Sequence, residues 1–154
     1  MLFAPRPFDL SDYLSRLSAD VGHAILTVAI VEEWLEALLL QHLQLDEVGV
    51  ARHFGDYGPL NSFGKKITKA HDLLLIDEDT RRDLDVLKEV RNAFAHTKRY
   101  LDFDSGAMAR LLGERPKEAF KQHVERAINA INDKINQIEF DRASAKEWAK
   151  KNPG

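Results

Sequence analysis

The 154-residue sequence contains no cysteine, which excludes disulfides and thiolate-bound metal and gives no sign of secretion. Its opening residues, Met1-Leu-Phe-Ala-Pro-Arg-Pro, have no basic region followed by an apolar core, so they are not read as a signal peptide. A membrane-spanning run is also missing, because the longest apolar stretch, Ala24 to Leu40, carries Glu32, Glu33 and Glu36. Three carboxylates are too costly in hydrocarbon. These absences lead to the expectation of a cytoplasmic protein without membrane contact. An excess of positive charge is lacking as well: the net charge of −3 argues against a general nucleic-acid binder.

What is present is ordinary globular material, with 44% hydrophobic and 31% charged residues. The length fits one domain over residues 1–154 with a proper core. Charge is uneven along the chain: residues 1–62 sum to −6, 63–126 to +2 and 127–154 to +1. The basic side chains therefore gather in the half that carries Arg91 to His96.

Residues 1–8, with two prolines, read as an extended arm. Asp9 or Ser11 is expected to cap a long helix to about Gln44, with Leu14, Leu17, Val21, Ile25, Val28, Leu35 and Leu38 as its apolar stripe. A second stripe through Ile30, Trp34 and Leu40 calls for packing on two sides. Residues 45–62, punctuated by Gly49, Gly55, Gly58 and Pro59, read as a loop anchored by Phe54 and Tyr57. A second helix follows over Ser62–Leu75, with Phe63, Ile67, Ala70 and Leu74 on one face. Asp77 caps a third, with Glu78 and Asp79 in its first turn, running to about Lys98. Leu101 and Phe103 pin the next loop, and Asp104 or Ser105 caps a short helix to Leu112. Pro116 opens the last long helix, whose face is Phe120, Val124, Ile128, Ile131, Ile135 and Ile138. Residues 141–154 form a polar tail with a lone Trp148. No segment reads as a strand, so the expected fold is all-α: an up-down bundle of four main helices plus one short one.

The third helix carries the candidate chemistry in Arg91-Asn-Ala-Phe-Ala-His96. With Leu84 at zero and 100° per residue, Leu87, Val90 and Phe94 cluster at about 240–300°, the core face. Arg91 lies on its flank at about 340°, and Asn92 and His96 point outward together at about 80° and 120°. One chain does not focus the three on a point, whereas a two-fold axis along this face can. Lys98 and Arg99 follow directly as candidate contacts to backbone phosphates. An ordinary account also exists: an arginine stem can cover a core edge, and a histidine is favoured at a helix C-terminus.

Arg91, Asn92 and His96 together resemble the Arg-x4–6-His signature of the HEPN superfamily, small helical bundles that often dimerise. Tyr57-Gly-Pro-Leu-Asn-Ser-Phe, Ile67 to Asp77 and the Arg91–His96 stretch are similar to the mannitol operon repressor family, over about residues 57–105. Asn61 departs from that pattern, where the family favours glycine. The superfamily resemblance implies a homodimer and metal-independent RNA cleavage by Arg91, Asn92 and His96. The repressor resemblance implies a transcriptional regulator acting through protein contacts, and a third reading is a structural dimerisation module or an antitoxin-bound partner. Direct DNA reading is not expected, because no helix–turn–helix with a basic recognition helix is found.

Other clusters are weaker. Gly58 to Lys66 is one residue too long for a phosphate-binding loop and no strand precedes it. His23, His42, His53, His71 and His123 are scattered without metal-ligand spacing, so no metal or cofactor is expected. Lys65, Lys66 and Lys69 read as a solvated basic turn, and Glu32, Glu33 and Glu36 as a polar strip, of which Glu33 or Glu36 can reach Arg91.

Overall fold

The computed structural model describes Ser11, residues 17–96 and residues 101–154. The expected extended arm, the candidate cap Asp9 and the RNA contacts Lys98 and Arg99 lie outside the described residues, and the other candidate cap, Ser11, is itself helical and exposed. A π-helical turn, Leu17–Val21, runs into α1 (Gly22–Leu43), followed by α2 (Glu47–Phe54), α3 (Phe63–Asp72), α4 (Glu78–His96), α5 (Gly106–Leu112) and α6 (Pro116–Lys151). Among the described residues there is no strand. The protein is an all-α bundle.

Helix α1 is the central element because it is apolar on more than one side. Ala24, Val28, Val31, Leu35, Leu38 and Leu39 are buried, and α6, α4 and α3 pack around them. Each fully buried Val or Leu contributes about 1.5–3 kcal/mol, so this stripe accounts for much of the stability. Against it α4 places Leu84, Leu87, Val90 and Phe94, and α6 places Phe120, Ala127 and Ile131. Phe103 fastens the α4–α5 connection, meeting Phe94 edge-on at 5.4 Å and Phe120 at 5.2 Å. Its backbone N–H also donates to Asp20 at 3.0 Å.

Three expectations needed correction. The loop over 45–62 contains α2: Asp46 accepts from the Gly49 N–H at 2.7 Å, with Glu47 in the first turn and Arg52 and His53 in the last. Capping makes this helix, not an apolar stripe, since none of its residues is buried. Tyr57 anchors nothing, being wholly exposed. Helix α3 ends at Asp72, and Leu74 takes a left-handed φ of 59° with its side chain 82% exposed, off the predicted apolar face. Hydrogen bonds from Leu75 N–H to Ala70 O and from Leu74 N–H to His71 O close that end as a Schellman motif.

The segment from 141 onward continues α6 to Lys151, a 36-residue helix about 54 Å long. Arg142 ties it to the end of α1 by donating to the Gln41 side-chain oxygen at 3.0 Å and to the Gln41 carbonyl.

A buried polar knot joins α4 to α6. The Asp83 side chain is 11% exposed and accepts from Arg126 Nη2 at 2.8 Å and Nε at 3.1 Å, while His123 Nδ1 sits 2.6 Å from Asp83 Oδ1. Burial disfavours the charged carboxylate, but the hydrogen bonds from Arg126 and His123 outweigh it and hold its pKa below the ordinary value. This contribution to stability is complete above pH ~4 and is lost as pH falls through the lowered folded value. Asp83→Asn is expected to cost about 2 kcal/mol at pH 7 and to make the acid limb of a stability–pH curve shallower, read by urea unfolding at several pH values. The limb does not vanish. Glu78 is held at about 2 by its hydrogen bond from Arg81, and Asp77 is lowered by the Thr80 backbone N–H.

Candidate functional site

Arg91 emerges from the flank of α4's core face and is drawn back across α3 to α1. Its Nη1 donates to Glu32 Oε2 at 3.1 Å, and its guanidinium lies 5.3 Å from the centre of the Phe63 ring. The other Glu32 oxygen accepts from Lys66 Nζ at 2.9 Å, and Lys66 also donates to Glu36 at 3.1 Å. Arg91, Glu32, Lys66 and Glu36 thus form a continuous, largely buried chain of alternating charges. Burial works against the Lys66 ammonium, but its hydrogen bonds to the two glutamates prevail and raise its pKa.

Lys66 is therefore not part of a solvated turn: its side chain is only 9% exposed. The carboxylate that meets Arg91 is Glu32, not Glu33 or Glu36. Adjacent helical residues differ by about 100° in direction, which puts Glu32 at the core edge and leaves Glu33 in solvent.

His96 is exposed and lines a cleft of about 590 Å³ between the end of α4 and α5. Leu101, Ser105 and Arg110 share that cleft. Arg110 was missed in the sequence because it stands 14 residues beyond His96, on a separate helix. Asn92 is half-buried on α4. Within one chain the three residues are not gathered: Arg91 is tied toward α1 and α3, while His96 opens toward α5. Arg91 is nonetheless oriented in advance by Glu32 and the Phe63 ring, with its side chain 26% exposed.

Among the described residues no group of His, Asp or Glu has the arrangement of a metal site, and no helix is long and apolar enough to cross a membrane. Comparison of the chain with protein-family models, with curated proteins and with solved structures finds nothing that matches.

Proposed function

We propose that the chain is a cytoplasmic, HEPN-type homodimeric ribonuclease in which Arg91, Asn92 and His96 of two copies face each other. The observation that carries this reading is the pairing of a pre-oriented Arg91 with a solvent-exposed His96 on the same helix. In the reaction, the ribose 2′-oxygen attacks the adjacent phosphorus and the bond to the 5′-oxygen breaks, leaving a 2′,3′-cyclic phosphate. His96 takes the 2′-hydroxyl proton, and a proton is returned to the departing 5′-oxygen. Arg91 holds the charge that develops on the phosphorane oxygens, and Asn92 positions the phosphate. The test is incubation of purified protein with single-stranded RNA in EDTA. Cyclic-phosphate ends are the expected product, and the same cleavage by His96→Ala and Arg91→Ala proteins would overturn the reading.

A second reading, a regulator acting through a protein partner, is favoured by exposed apolar side chains on two long helices. Leu26 and Ile30 lie one turn apart on α1 and are 67% and 50% exposed, and Phe140 and Trp148 stand out on α6. A stable complex with a transcription or transport component, unaffected by His96→Ala, would support it.

A further inference from the structure

A second basic surface lies beside Arg91. The α2–α3 turn, α3 and α4 enclose a groove of about 870 Å³ whose charged side chains are Lys65, Lys69 and Lys88 against a single carboxylate, Asp72. Three lysines line one concavity in a chain of net charge −3. Lys65 and Lys69 are exposed and one helical turn apart, an arrangement of like charges that destabilises a helix unless an anion lies between them.

Their partners within the chain are weak. Lys65 Nζ donates to the neutral Asn61 amide oxygen at 3.0 Å, and Lys69 makes no ion pair with a described residue. Lys88 stands 3.8 Å from Asp85, whose other oxygen is already engaged by Arg81 at 2.6 Å, and 4.0 Å from Glu89. The Lys88 chain lies across Gly64: a Cβ there would meet its Cδ at 3.6 Å and its Nζ at 3.7 Å. These are ordinary contact distances, so position 64 accepts a side chain that reaches that ammonium.

The neutral lining suits an anion as well. Ser62 Oγ accepts from the Lys65 N–H, so its own O–H remains a donor. Tyr57, wholly exposed two residues before the groove's Pro59, presents an aromatic face on which a base can stack.

We infer that this groove binds the phosphate backbone of single-stranded RNA and leads it along α4 to Arg91. Lys88 and Arg91 are three residues apart on that helix, about 4.5 Å along its axis, so one continuous strand reaches both. The inference rests on the ribonuclease reading for the identity of its ligand.

The test is fluorescence anisotropy with an RNA oligonucleotide of about a dozen residues carrying 2′-O-methyl groups, which binds but cannot be cleaved, across a salt series. Lys65→Gln/Lys69→Gln is expected to weaken binding at least tenfold. Loss of two phosphate contacts at ~0.7 each lowers the slope of log K against log salt by ~1.4. Gly64→Asp gives an independent variant. An acidic residue in the first turn suits the helix dipole, and its carboxylate occupies Lys88; binding again falls while the unfolding midpoint holds.

Unchanged affinity and slope in both groove variants overturns the groove even if the protein cleaves RNA. Loss of binding in both variants, in a protein that never cleaves, supports the groove and sinks the ribonuclease reading instead. Binding of polyglutamate but not of the RNA overturns the groove's assignment in favour of an acidic protein partner.

Discussion

His96→Ala is expected to lower RNA cleavage at least about a hundredfold and to leave the unfolding midpoint unchanged, because a positioned proton carrier contributes about 10²–10⁴ in rate. The side chain is exposed on the last turn of α4, so its removal opens no cavity and strands no buried group. Arg91→Ala is expected to reduce cleavage to a similar degree but with a different stability signature. It removes a charge-assisted hydrogen bond to Glu32 and the guanidinium's contact with the Phe63 ring, costing about 1–2 kcal/mol. The cost stays moderate because Glu32 keeps Lys66 as a partner at 2.9 Å. Urea melts beside single-turnover cleavage separate the two residues. If His96→Ala lost activity only in proportion to a loss of folded protein, its proposed role in proton transfer would be wrong. Light scattering adds a further condition, since a strict monomer cannot bring Arg91 and His96 of two copies together.

Lys66→Met is the substitution with the largest expected effect on stability, about 2–4 kcal/mol. It leaves Glu32 and Glu36 facing each other without the ammonium between them, in side chains only 22% and 33% exposed. It also removes the cation held 5.9 Å from the Phe54 ring, one of the contacts that fasten α2 to the bundle. Glu36→Gln introduced into Lys66→Met is expected to recover part of the loss by removing one of the two repelling charges, an interaction a double-mutant cycle detects. Since pairing raises the Lys66 pKa, its contribution is complete below the ordinary lysine value and disappears only as pH rises through the raised folded one. A cost below about 0.5 kcal/mol, the figure for a solvated surface lysine, would contradict the burial described here.

The helices with long apolar repeats were legible because a 3.6-residue period records which face is buried. Leu87, Val90 and Phe94 came out on the core face of α4, as the wheel required. Helix α2 was not, since it is made by its Asp46 cap and buries none of its own residues. Leu74 failed for a related reason: periodicity extends a helix until something stops it, and here backbone hydrogen bonds stop it two residues earlier. The candidate site divided in the same manner. Arg91, Asn92 and His96 were found because they share one helix, whereas Arg110, which shares the His96 cleft, comes from another.

The sequence by itself determined an all-α chain, the register of its main apolar faces and the outward placement of His96. Those properties follow from side-chain order along one helix at a time. Only the tertiary structure decided that Glu32 receives Arg91, that Lys66 is buried between two glutamates, and that Asp83 is clasped by His123 and Arg126 from 40 or more residues away. Each depends on how one helix is rotated against another. A rotation of about 100°, the step between neighbouring residues, exchanges a buried ion pair for a solvated charge, and no local repeat encodes it.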